Sequence, residues 1–211
     1  CVENPVKPVR VQLVLKSLSS SNLPVVLIIG HGEGGGTRRF INELRYFFRE
    51  KINFLWIAPE GDKCVRLAFP DWASSCTQIY NLEADKDQLF DSIRAAGVDL
   101  VHINHIRGIE RFTPELLDEL GVEHLITLHD YYFLGSSPSL IDSEGRYDPD
   151  RYFIDGLPCE DEFSSLKETL LKTAKALVTP SLEAAAIYKG VYPDLELRVQ
   201  EHIGTELIPS L

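Results

Sequence analysis

Methionine is missing from all 211 residues, and Cys1 stands at the first position, so the sequence reads as a piece excised from a longer polypeptide. Its four cysteines, Cys1, Cys64, Cys76 and Cys159, show no Cys-x-x-Cys spacing and no adjacent histidine. That pattern excludes a zinc site built on them and favours reduced thiols in an intracellular compartment. An excess of basic residues is missing as well. The net charge of −11 removes the Lys and Arg that non-specific nucleic-acid binding places on phosphate, so no nucleic-acid partner is expected. It also disfavours broad adhesion to an anionic bilayer, although a local basic patch leaves peripheral membrane association of the full-length protein open. The longest apolar run, Leu23 to Ile29, falls far short of the ~20 residues that span a bilayer. No signal-peptide pattern is present, and a cytoplasmic location is the expectation.

What is present is ordinary for a globular protein, with apolar content of 44% and charged content of 25%. A chain of this length buries on the order of 70% of its unfolded surface, enough for a substantial core. Residues 1–23 combine two prolines, the alternating run Val11 to Leu15 and a serine-rich tail, which reads as an edge strand or a linker from a preceding region. From residue 24 to 211 the pattern is that of one Rossmann-like domain. Val25 to Ile29 is a continuous, mostly β-branched run, expected for a strand covered on both faces. Phe40, Ile41, Leu44, Phe47 and Phe48 recur at helical spacing. Further strands are expected at Phe54–Ala58, Thr77–Leu82, Val98–Asn104, Leu125 onward, Ala176–Pro180 and Leu197–Ile203. Helices are expected between them, stopped at Gly97 and Gly121. Thr113 and Pro114 predict a helix start, and Ser181 another. Alternating strands and helices imply an α/β fold: a Rossmann-like three-layer sandwich with a mostly parallel sheet. Gly135 to Pro158 is a long polar loop, of the kind that serves as a lid or binding segment.

Two stretches carry candidate chemistry. Leu125 to Phe133 is an apolar run ending in His129 and Asp130, which places both at the carboxyl end of a buried strand, the edge where open α/β sheets bind ligands. A structural histidine and a turn-capping aspartate would account for the same pair. Gly30 to Thr37 sets five glycines in a strand-to-helix turn, where a ligand can approach the backbone. The following helix offers amides and a partial positive charge to an anion such as a diphosphate, worth ~0.3 to 1 kcal/mol per charge when exposed. Arg38 and Arg39 add to that field. No Gly-Lys-Ser/Thr follows, so this is not a P-loop, and the Gly-x-Gly-x-x-Gly fingerprint is not matched. His102 and His105 fall on opposite faces of a strand, which argues against a metal pair. His105 lies past the strand end toward the crevice, and His102 packs inside. No Gly-x-Ser-x-Gly elbow is present.

The ordered segments Gly34-Gly-Gly-Thr-Arg-Arg-Phe-Ile-Asn-Glu-Leu44, Val98-Asp-Leu-Val-His-Ile-Asn104, Thr127-Leu-His-Asp-Tyr-Tyr-Phe-Leu134, Asp142-Ser-Glu-Gly145 and Ala176-Leu-Val-Thr-Pro-Ser181 together resemble the N-terminal half of a GT-B-fold glycosyltransferase. The resemblance is to the large, mostly retaining family 4, and it spans nearly the whole chain. It implies transfer of a sugar from a nucleotide-sugar donor to a saccharide or lipid-linked saccharide acceptor, as in polysaccharide biosynthesis. His129 and Asp130 are the implied catalytic residues, with His129 beside the transferred sugar. Gly34, Gly35, Gly36, Thr37, Arg38, His31, His105 and Tyr132 are the implied substrate-binding set. No cofactor and no metal is expected, the nucleotide sugar entering as substrate. The partner is a C-terminal, donor-binding Rossmann-like domain of the same polypeptide, not found within these residues, so the fragment alone is expected to be inactive. The chain departs from the family pattern where Gly135-Ser136-Ser137 replaces a Cys-Pro turn, at Phe40 where a histidine is common, and at His202-Ile-Gly-Thr205. A non-catalytic Rossmann-like module that binds a nucleotide or carbohydrate is the competing reading.

Overall fold

A computed structural model describes residues 8–31, 35–69, 77–135, 138–140, 145–146 and 162–201. Among the described residues, eight strands, mostly parallel, and six helices place the protein in the α/β, Rossmann-like class that the alternating pattern predicts. The described residues up to Glu123 form one compact unit, and those from His124 onward form another.

In the first unit the strand order is β4-β3-β2-β1-β5. Strand β1 (Val25–Ile29) is central and buried at every position, as its unbroken β-branched run requires. It pairs in parallel with β2 (Asn53–Pro59) on one side and with β5 (Leu100–Ile103) on the other. Parallel neighbours need a crossover, and α2 (Gly36–Phe48) provides the one from β1 to β2. Its Ile41 packs with Val26, Ile28 and Phe54 in a buried cluster. Beyond β2 the sheet turns antiparallel through β3 (Cys64–Ala68) and β4 (Thr77–Asn81). Strand β3 lies in a stretch without clear periodicity, because it is short and pairs along a meander.

Residues 8–19, expected to belong to an edge strand or a linker from a preceding region, are helical. They form α1 (Pro8–Ser19), which packs against α3 (Lys86–Ala96). The alternation at Val11 to Leu15 misleads because Val14, Leu15 and Leu18 make a helical stripe, and all three are buried. Gly97 and Gly121 end α3 and α4 (Phe112–Leu120) in the left-handed conformation that the stop signals predict. Helix α4 starts one residue before Thr113. The Thr113 hydroxyl, rather than capping, donates to the Ile109 carbonyl at 2.9 Å. Pro114 still lies in the first turn, where its missing N–H costs nothing.

In the second unit β6 (His124–Thr127), β7 (Ala176–Thr179) and β8 (Leu197–Val199) pair in parallel in that order. Helix α5 (Ser164–Thr173) precedes β7, and α6 (Leu182–Val191) joins β7 to β8. Ser181 caps α6 as predicted, its hydroxyl accepting the Ala184 N–H at 3.1 Å. Most of the polar loop from 135 to 158 lies outside the described residues.

Cys64 is disulfide-bonded, and the other three cysteines lie outside the described residues. The expectation of reduced thiols therefore does not hold at Cys64. The cytoplasmic expectation loses the support it drew from cysteine usage. Among the described residues no helix is long and apolar enough to cross a membrane.

Candidate functional site

The carboxyl edge of β1 carries the glycine-rich turn. Gly30 continues the ladder by donating to the Ile57 carbonyl at 3.1 Å, while its own carbonyl accepts the Trp56 indole N–H at 3.2 Å. A Cβ at Gly30 would lie 3.2 Å from Ile41 Cδ1 and 3.5 Å from Asn104 Cβ. Glycine there lets α2 close onto the end of β1. Gly34 lies outside the described residues. Gly35 is the N-cap of α2 with φ of 100°, a conformation that favours glycine, and it offers no side chain to the first-turn amides. Those of Gly36, Thr37 and Arg38 form the end of the helix that carries partial positive charge. The Thr37 side chain is buried and Arg38 is exposed. Arg39 spans one turn to bind Glu43 at 2.9 Å, so its charge is partly spent within α2.

His31 and His105 meet on this edge, with ring centroids 4.7 Å apart and planes at 72°. The backbone of β5 sets the second ring, for Asn104 and His105 both donate their N–H to the Ile29 carbonyl, at 2.7 and 3.3 Å. His105 Nδ1 accepts the Arg107 N–H at 3.0 Å. In the neutral ring the proton therefore resides on Nε2, which makes that atom a donor. His105 is itself buried and His31 partly exposed. His102 sits inside, edge-on to Phe40 at 6.0 Å, and burial drives its pKa down to about 3. It is a neutral core residue across the physiological range.

The second unit brings His129, Asp130 and Tyr132 together on the turn after β6. Leu128 still pairs with β7 through the Val178 carbonyl at 2.8 Å, and the chain then leaves the sheet into a short 3-10 turn, Tyr132–Leu134. Asp130 Oδ1 accepts the Tyr132 N–H at 2.9 Å. One carboxylate oxygen is thus engaged in holding the turn, which is the capping role foreseen as the simpler account of this residue. His129 and Asp130 are partly exposed, whereas Tyr132, Phe133 and Leu134 are buried.

Two residues that the sequence does not single out anchor the turn from below. Tyr188 of α6, fully buried, donates its hydroxyl to the Asp130 carbonyl at 2.7 Å. Burial pushes its pKa well above the ordinary tyrosine value, and the nearby Asp130 carboxylate adds to the rise. Lys167 of α5 is only 1% exposed. Its ammonium donates to the Gly135 carbonyl at 2.7 Å and lies 4.0 Å from the centre of the Tyr132 ring. Burying a charge costs several kcal/mol, recovered in part by about 1.5 to 3 kcal/mol from a charged hydrogen bond and about 2 kcal/mol from a desolvated cation–π contact. A signal for Lys167 exists in the sequence. It occupies the i+4 position of the face set by Phe163, Leu166 and Leu170, where an apolar residue is the rule.

Among the described residues no group of three or more His, Cys, Asp or Glu is arranged to hold a metal ion. Comparison with protein-family models, with curated proteins and with solved structures found no match.

Proposed function

We propose that this chain is the acceptor-side half of a glycosyltransferase, one that moves a sugar, with retention, from a nucleotide-sugar donor to a saccharide or lipid-linked saccharide. The observation that carries the reading is the N-terminus of α2 at the end of β1, where the N-cap Gly35 supplies no capping side chain, with the His31–His105 pair on the same edge. An uncapped helix N-terminus suits a diphosphate. A histidine tautomer fixed by the Arg107 amide suits a sugar or phosphate oxygen that needs a donor. His129 follows a buried strand into a turn anchored from two helices, a rigid placement beside a sugar on which positive charge develops. The motif order described above adds its weight, and the resemblance assigns the firmest grip on the nucleotide to a donor-binding domain elsewhere on the polypeptide.

The reading is tested by titrating the chain with a uridine diphosphate hexose and following backbone amide shifts. Binding in the millimolar range, about −4 kcal/mol, is expected, with the largest shifts at Gly35, Gly36 and Thr37. Saturable shifts elsewhere, or none in this turn, would sink the proposal.

A further inference from the structure

The turn after β6 is held with more polar machinery than a connection needs. Asp130 Oδ1 takes the Tyr132 amide, the Tyr188 hydroxyl takes the Asp130 carbonyl, and Tyr131 donates its N–H to the Pro138 carbonyl at 3.1 Å. Lys167 adds the costliest piece. Its ammonium is out of solvent, and it stands in the first turn of α5, the end of a helix where the dipole disfavours a cation. Placement there is opposed twice over, by desolvation and by the helix itself. A methionine would fill the same volume without either penalty. Among the contacts of the lysine are two directional ones, to the Gly135 carbonyl and to the face of Tyr132, one at each end of the 3-10 turn.

We propose that Lys167 is a positioning residue: it pins the Tyr132–Gly135 turn so that His129 and Asp130 are presented in a fixed arrangement at the strand end, without itself touching sugar. The proposal rests on the glycosyl-transfer reading for what the turn presents, and on the geometry alone for how the turn is held. A ring-current shift of the Lys167 ε-methylene protons by Tyr132 is the signature of the contact.

The test compares the wild-type chain with Lys167→Met in two measurements. The first needs no ligand: hydrogen exchange at the amides of Tyr131, Leu134 and Gly135 should speed up at least tenfold in the variant, while the amides of β6 and β7 keep their protection and Tm does not fall. Unchanged exchange at those three amides, or loss of protection in parallel throughout the unit, overturns the proposal, the second outcome marking an ordinary core role. The second measurement titrates both proteins with a uridine diphosphate hexose and with a free hexose, reading the His129 ring signals. Wild type that responds and a variant that responds equally overturns the positioning role. Wild type that responds to neither ligand counts against glycosyl transfer instead, while the exchange data still decide whether Lys167 holds the turn. Should the methionine variant fail to fold, the same comparison is made with Lys167→Gln, which keeps a donor for Gly135 but has no cation for Tyr132. Its ring signature should vanish and its exchange at Tyr131 and Leu134 should accelerate, and wild-type exchange there would overturn the proposal.

Discussion

Tyr188, in the middle of α6, donates its hydroxyl to the main-chain carbonyl of Asp130 at 2.7 Å. A helix that follows β7 thereby fixes the backbone at the point where the chain leaves β6. The bond lies 58 residues apart in sequence, so it forms only once the second unit has assembled. The donor is fully buried, while the acceptor belongs to a partly exposed residue.

Tyr188→Phe should therefore destabilise the protein by about 1 kcal/mol, the usual net contribution of one hydrogen bond. Urea unfolding with unchanged m-value checks it, and a stability equal to wild type would mean that the carbonyl finds another donor. The same tyrosine gives a signed pH effect. Its folded pKa is raised, chiefly by burial, so its contribution is complete below the unfolded value of about 10 and is lost as pH rises beyond it. Phenolate absorbance should show one tyrosine that ionises only as the protein unfolds.

His102 gives the opposite edge of the stability profile. Burial lowers its pKa from 6.5 to about 3, so the folded protein keeps it neutral while the unfolded chain takes up a proton below about pH 6.5. Stability should fall with acidification between about pH 6.5 and 3, by up to about 1.4 kcal/mol per pH unit for this one group. His124 is also lowered by burial, against a smaller raising effect from its bond to the Leu170 carbonyl, and adds to the same slope. His102→Gln should flatten the dependence, and an unflattened slope would assign the effect to other groups.

The parts legible in the sequence are those governed by local rules. β1 was visible because a strand covered on both faces must be apolar throughout, and the ends of α3 and α4 because Gly97 and Gly121 supply the left-handed stop. The parts that were not legible depend on tertiary partners. Val11 to Leu15 fits either period over so short a span, and packing against α3 selects the helix. Cys64 carries no signal of its disulfide, since spacing does not tell which cysteines meet. The positions of His31 and His105 at strand ends in the first unit, and of His129 and Asp130 at a strand end in the second, were readable in the sequence. The His31–His105 contact and the anchoring of the turn by Lys167 and Tyr188 were not, because each joins residues distant in sequence.

Ser181 offers a check on the local rules themselves. Its hydroxyl accepts the Ala184 N–H at the start of α6, and Ser181→Ala should cost about 1 kcal/mol. Chemical denaturation measures this directly. Ser181→Asp should restore the loss, because an acidic cap also meets the helix dipole, and failure to restore it would point to a role other than capping.

Gly30 tests how closely α2 must approach β1. An added Cβ would press on Ile41 Cδ1 at 3.2 Å, and Ile41 is fully buried, so its side chain must give by a few tenths of an ångström. Gly30→Ala should cost about 1 to 3 kcal/mol by overpacking and displace the start of α2, which would also weaken any diphosphate binding at that helix end under the proposed function. At Gly35 the added Cβ meets nothing within 4 Å. Gly35→Ala should instead suffer from its positive φ alone, by about 1 to 2 kcal/mol. Thermal unfolding of the two variants, with amide shifts of α2, separates crowding from backbone strain. Equal α2 shifts in both would remove the close-approach argument.

Asp130 decides between its structural and chemical roles because two substitutions divide them. Its Oδ1 accepts the Tyr132 N–H, a task that an asparagine oxygen performs equally well and an alanine does not. Asp130→Ala should therefore lose about 1 kcal/mol of stability, whereas Asp130→Asn should lose almost none. Charge is the other difference. If the carboxylate meets an acceptor hydroxyl and takes its proton during transfer, the asparagine variant is as stable as wild type but slower in sugar transfer by about 10² or more, the ordinary loss on removing a general base. Sugar transfer would be read on a polypeptide extended by the proposed donor-binding domain, with stability measured on the same preparation. Full turnover in Asp130→Asn would assign the residue to the turn alone and leave His129 as the chemical group of this strand end. Reduced stability in the asparagine variant would instead show that the turn needs the negative charge.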